Sequence, residues 1–164
     1  MQKLIAAIVF WGSITHHPAL ADDNPTTVIL VRHAEKRLDE GRDPNLTTAG
    51  FERAERLAEF ALKQKTAALY ATEYKRTQQT VMPSADLLSI EINVVDALEI
   101  GILSQRIKNL HKGQTIMVAG HNITVPRLIR SLGGPEVAPI PETEYDNLYI
   151  LTLGNETTLK KLKY

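Results

Sequence analysis

Two kinds of hydrophobic pattern alternate along the chain. Val28-Ile29-Leu30-Val31 is a continuous, largely β-branched apolar run, the pattern of a strand buried on both faces. Phe51, Ala54, Leu57, Ala58 and Ala61 then recur at helical spacing behind a capping threonine, Thr47 or Thr48. Residues 67–71 predict a second strand. A helix from about Tyr74 follows, with Val81, Ala85 and Leu88 inward and Pro83 marking a kink or restart. Residues 91–95 predict a third strand, and Leu103, Ile107 and Leu110 form one side of a short helix ending near Lys112-Gly113. Residues 115–120 predict a fourth strand and 125–132 a helix with Pro126 in its first turn and Gly133-Gly134 beyond its end. Residues 148–153 and 158–164, around Gly154-Asn155, predict a closing hairpin. Repeated strand–helix units imply an α/β fold, a three-layer α/β/α sandwich whose central sheet is mostly parallel.

Length and charge narrow this picture. A chain of 164 residues suits one domain with a real core. Lysine plus arginine and aspartate plus glutamate balance at 19 each, so no nucleic-acid partner is expected. With no cysteine, disulfides, thiolate catalysis and cysteine-bound metal are excluded. Met1-Gln2-Lys3, the apolar run Leu4–Ile14 and Ala19-Leu20-Ala21 read as a secretory leader with its cleavage site. That run is too short for a bilayer core of about 30 Å, which takes roughly 20 residues. The expectation is a signal peptide over 1–21, a domain over 22–164, a periplasmic or secreted product, and no stable membrane insertion after cleavage. His16 and His17 leave with the leader, so catalytic histidines must come from His33, His111 and His121.

In a doubly wound sheet, ligands sit outside the carboxyl ends of the strands. Arg32 and His33 follow the first strand, residues 72–76 the second, and His121 and Asn122 the fourth. These are the parts phosphoryl transfer through a protein nucleophile requires. A neutral imidazole held in one tautomer attacks phosphorus. Guanidinium groups such as Arg32 and Arg76 grip the phosphoryl oxygens. A carboxylic acid protonates the leaving oxygen and later takes a proton from water. No metal or other cofactor is needed if cations and a second histidine neutralise the phosphoryl group. The plainer alternatives are a surface pair of Arg32 with Glu35 and a helical pair of Arg76 with Glu73. His111 suits a structural place at a helix C-terminus.

RHAEK (32–36), DPNLTTAG (43–50), YATEYKRTQQT (70–80) and VAGHN (118–122), in that order, resemble the histidine phosphatase superfamily, the phosphoglycerate-mutase-like family, through nearly all of the chain after residue 21. The resemblance implies that His33 becomes phosphohistidine while Arg32, Arg76 and His121 clamp the phosphoryl group, His121 being protonated while it is bound. The backbone around Asn122 donates there as well. Leu46, Thr47 and Gly50 match the LT-x-x-G segment that lines the pocket. Many members carry their general acid in an L-x-E segment after the third strand, which here offers Glu99, with Asp96 nearby. The usual aromatic and glycine-rich continuation is absent, so Glu35 and the 144–146 loop stay as alternatives.

The implied function is an exported phosphatase acting on a phosphomonoester or a phosphoramidate. Other readings are a phosphate- or phosphoprotein-binding module with little turnover and a phosphomutase, for which this compact chain has little covering sequence. The expected substrate is a phosphorylated small molecule, envelope sugar or protein. Specificity would come from the 36–45 loop, the segment after Leu98 and the Pro135–Asp146 loop.

Overall fold

The computed structural model describes residues 24–164; the leader expected over 1–21 lies outside them. Within them the predicted alternation is observed: β1 (Thr26–Arg32), α1 (Thr48–Lys63), β2 (Ala68–Thr72), α2 (Lys75–Leu88), β3 (Ile92–Val95), α3 (Ile100–Leu110), β4 (Thr115–Gly120), α4 (Thr124–Ser131), β5 (Asn147–Leu153) and β6 (Thr157–Lys163). The six strands form one mixed sheet in the order β3-β2-β4-β1-β5-β6. β1 to β4 run parallel, and the β5–β6 hairpin joins antiparallel through β5 against β1.

β1 shows why an unbroken apolar run is needed. Successive side chains point to opposite faces. Val28 and Leu30 enter a core with Leu103 and Ile107 of α3 and Leu128 and Ile129 of α4. Ile29 and Val31 enter a second core with Leu57 and Ala61 of α1 and Val81 of α2. The helices therefore cover the two faces in pairs.

Two local expectations change. Pro83 lies inside α2, which runs unbroken from Lys75 to Leu88, so no restart occurs there. Leu110, expected inward, is 65 % exposed, because α3 packs through Leu103, Ser104 and Ile107 and ends just past that face. His111 follows it, and its ring nitrogens meet the Tyr70 hydroxyl and Gln114 Oε1, both at 2.8 Å. This histidine therefore belongs to the amino edge of the sheet, opposite the edge where Arg32 and His121 emerge.

The packing predicts a contrast. Ile107→Ala should cost about 2–5 kcal/mol in urea unfolding, whereas Leu110→Ala should stay within about 0.5 kcal/mol; equal losses would contradict the buried face assigned to α3.

Candidate active site

Strand register builds the site. Arg32 pairs with Gly120 at the ends of β1 and β4, and the His33 amide donates to the Gly120 carbonyl at 2.9 Å. The two histidines that follow these strands thus lie side by side, with ring centroids 5.5 Å apart and edge to face. Gly120 is required here. A Cβ would lie 2.7 Å from Thr124 Oγ1, the atom that accepts the His121 amide at 2.8 Å and holds that turn.

His33 is 2 % exposed. Its Nδ1 meets the Ala34 carbonyl at 2.8 Å. A carbonyl only accepts, so Nδ1 carries the proton and Nε2 keeps a free lone pair. The Ala34 amide donates to Thr80 Oγ1 at 2.9 Å, and that hydroxyl donates to the Arg76 carbonyl at 2.6 Å. Thr80 therefore ties the His33 loop to the first turn of α2. Burial, joined by the charges of Arg32 and Arg76, pushes the pKa of His33 down to about 3. His121, pushed down by burial, Arg76 and Arg32, lies at about 4. Both rings are neutral near pH 7.

Arg32 is 1 % exposed, and a buried cation demands partners. Nη1 donates to the carbonyls of Pro141 at 2.8 Å and Glu144 at 3.2 Å, while Nη2 donates to Glu142 Oε2. The Tyr145 ring stacks on the guanidinium at 4.5 Å. Arg76, in the first turn of α2, lies 4.4 Å from the Tyr74 ring centroid and 3.9 Å from Asp43. Tyr74 also meets His121 edge to face, centroids 5.1 Å apart. Asp43 Oδ1 accepts the Lys75 amide at 2.9 Å, which anchors the 36–46 loop to the start of α2.

Three buried nitrogens here have no hydrogen-bond partner: Arg32 Nε, Arg76 Nε and His121 Nε2. Among the described residues four other buried polar atoms share that condition, but only these three belong to side chains whose charge or ring bears on His33. Unsatisfied buried polar groups are costly. Gathered around a neutral imidazole, they suit a ligand with several acceptor oxygens.

Of the remaining expected residues, Asn122 joins the site through Glu142 and the others have different partners. Thr47 Oγ1 accepts the Gly50 amide at 3.1 Å and donates to the Glu35 carbonyl at 3.3 Å, so its hydroxyl is spent on capping α1. Glu35 forms its ion pair with Arg53, not with Arg32, and Arg53 holds the Glu35 pKa below its ordinary value despite burial. Glu73 accepts the Ala97 amide rather than pairing with Arg76. Glu99 is exposed just before α3, beside Asp96, Ile102 and Arg106. It follows β3, which β2 and β4 separate from β1, about 14 Å at the usual strand spacing. Asn122 Nδ2 donates to Glu142 Oε1 at 2.8 Å. Glu142, Tyr74 and Thr80 were not anticipated. For Thr80 the only signal was its place in YATEYKRTQQT, one turn after Arg76. Among the described residues no group of three or more His, Asp or Glu side chains is placed to hold a metal ion, and no helix is long and apolar enough to cross a membrane.

Residues 28–99 match the model of the histidine phosphatase superfamily, branch 1. The fold is similar to that of the protein histidine phosphatase SixA solved with tungstate, at TM-score 0.68 and 22 % identity, over 84 % of this chain and 96 % of that one. It is also similar to a SixA phosphohistidine phosphatase candidate from Agrobacterium tumefaciens, at TM-score 0.60 and 21 % identity, covering 84 % and 98 %. A mycobacterial glucosyl-3-phosphoglycerate phosphatase shares the fold at TM-score 0.65 and 10 % identity, covering 86 % and 99 %. No curated protein sequence matches this chain.

The depressed histidine pKa values set a pH dependence. Each ring stays neutral in the fold while its unfolded counterpart takes a proton below about pH 6.5, so the unfolded state binds more protons. The stability tied to each ring is present above that pH and is lost as pH falls towards 4 for His121 and 3 for His33. The expected slope is about 1.4 kcal/mol per pH unit for each neutral ring. Urea unfolding between pH 7 and 4.5 checks this, and His33→Asn should flatten the slope; an unchanged slope would contradict the burial assigned to His33.

Proposed function

We propose, for a chain that carries the histidine phosphatase superfamily signature over residues 28–99 and the fold of those enzymes, that it is a phosphatase working through a phosphohistidine on His33. The observation that carries the proposal is the set of partnerless nitrogens on Arg32, Arg76 and His121 around a ring whose Nδ1 is already committed to the Ala34 carbonyl. Nε2 of His33 attacks phosphorus, and the bond to the leaving oxygen or nitrogen breaks. Arg32 and Arg76 take the charge of the phosphoryl oxygens. His121, held neutral by burial and the two arginines, gains a proton beside the dianion and becomes the third cationic donor. Water then attacks the phosphohistidine and releases inorganic phosphate. Two arginines and an imidazolium supply the positive charge, so the reaction runs without a metal ion.

The substrate class follows from access. The site lies at the carboxyl edge of the sheet, and the Glu142 side chain on Arg32 is 64 % exposed. Exposure beside the clamp suits a phosphoryl group carried by something large: a protein side chain, as with the SixA structures, or a phosphorylated sugar of the envelope. The leader-like residues 1–21 support the reading of an exported enzyme with residues 22–164 as its working domain.

Purified residues 22–164 should hydrolyse an aryl phosphate with chelator present, and His33→Ala should lower turnover by at least about 10³-fold, the scale of losing a nucleophile. Activity equal in both proteins would overturn the proposal, and activity lost to the chelator would overturn its metal-free form. Expression of the full chain should yield an exported product beginning near Asp22; an uncleaved cytoplasmic product would overturn export.

A further inference from the structure

The reaction at His33 needs a carboxyl group that gives a proton to the leaving oxygen and recovers one from water. Its position is constrained. His33 forms the floor of the site at 2 % exposure, and in-line displacement puts the leaving atom on the far side of phosphorus from Nε2. The acid must therefore stand at the mouth, within hydrogen-bond reach of a group that points towards solvent.

Most nearby carboxylates are committed to other work. Glu35 is held by Arg53, Glu73 by the Ala97 amide, Asp96 by the Leu98 amide, and Glu144 and Asp146 by Lys163. Asp43 anchors the Lys75 amide and lies 3.9 Å from Arg76. Glu142 differs from all of them. One of its oxygens accepts from Arg32 Nη2 and the other from Asn122 Nδ2, so both of its contacts belong to the site. Its side chain is 64 % exposed while that of Arg32 is 1 % exposed. It rises from the clamp to the mouth.

We propose that Glu142 is the general acid and base of this phosphatase, an inference that rests on the reading of His33 as nucleophile. When a phosphoryl dianion occupies Arg32, a Glu142 carboxylate on the same guanidinium would repel it. A proton on Glu142 removes the repulsion and sits beside the leaving atom. In the first step His33 Nε2 bonds to phosphorus, the phosphorus–oxygen ester bond breaks, and the Glu142 proton passes to the ester oxygen to give the alcohol. In the second, a water oxygen bonds to phosphorus and the phosphorus–nitrogen bond breaks. Glu142 takes the proton that water gives up, which returns it to its starting state. Asn122 and Arg32 aim the carboxyl throughout. The acid thus comes from the connection after α4, not from the segment after β3.

Leaving-group dependence tests this. An acid matters most when the leaving oxygen is strongly basic. Glu142→Gln keeps the shape and an acceptor for Arg32. Its kcat on an alkyl phosphate such as glycerol 2-phosphate should fall about 10²–10⁴-fold, while its kcat on p-nitrophenyl phosphate should fall less than about tenfold. The alkaline limb of the alkyl-phosphate pH profile should disappear with it. An equal fall on both substrates would mark a merely structural residue and overturn the proposal. Faster turnover or tighter inhibition by inorganic phosphate would show a carboxylate that only blocks the clamp, and would overturn it too. So would Asp43→Asn reproducing the leaving-group effect while Glu142→Gln does not. If His33→Ala matches the unmodified protein on both substrates, the nucleophile assignment fails and this inference falls with it. If His33 is needed but Glu142→Gln changes nothing, Glu142 alone is excluded.

Discussion

The architecture of the site depends on one buried cation. Arg32 ends the central strand β1 with 1 % of its surface exposed, and a guanidinium taken out of water is costly unless its donors are met. Three of the contacts that meet them come from a single connection more than a hundred residues later: the carbonyls of Pro141 and Glu144 and the carboxylate of Glu142. Tyr145 of the same connection stacks on it. The connection between α4 and β5 is therefore folded over the carboxyl edge of the sheet by the need to satisfy Arg32, and that same folding forms one wall of the site. Ile140, buried in the core beneath α4 and bonded to the Asn122 carbonyl, fixes where the wall starts.

The second constraint is electrostatic. Two arginines stand beside two histidines that are largely withdrawn from water, and the histidines respond by staying neutral. In the proposed reaction this is the form of His33 that can attack, since a protonated ring has no lone pair to offer. In the same proposal a doubly charged ligand would draw a proton onto His121, so the pocket would gain positive charge as the ligand arrives and favour a dianion over a monoanion of the same shape. The aromatic faces of Tyr74 and Tyr145, against Arg76 and Arg32, keep both guanidinium groups in place without spending their hydrogen-bond donors.

Most of this frame was legible in the sequence. Strand ends are marked by an apolar run that stops, and a parallel sheet brings such ends together, so Arg32, His33 and His121 could be assigned to one edge from pattern alone. Arg76 followed because the helix begins immediately after β2. Contacts between distant segments were not legible. Arg53 takes Glu35 because α1 passes over the loop after β1, and nothing in the local sequence favours that pairing over Arg32. Glu142 lies in a proline-rich connection without periodicity, where only the demand of a buried arginine fixes its position. Glu99 was expected from resemblance alone, and it follows β3, which strand order separates from β1 by β2 and β4. Thr47 lines a pocket with Leu46 and also caps α1, its hydroxyl accepting the Gly50 amide while donating to the Glu35 carbonyl.

The most direct test of the account is to find the covalent intermediate. The protein mixed with a ³²P-labelled aryl phosphate and quenched in alkali within milliseconds should carry label on a histidine, stable to base and lost in acid. Peptide mapping should place the label on His33, with the phosphoryl group on Nε2 because Nδ1 is committed to the Ala34 carbonyl. Turnover with no labelled protein at any quench time, or label on a residue other than His33, would contradict the account.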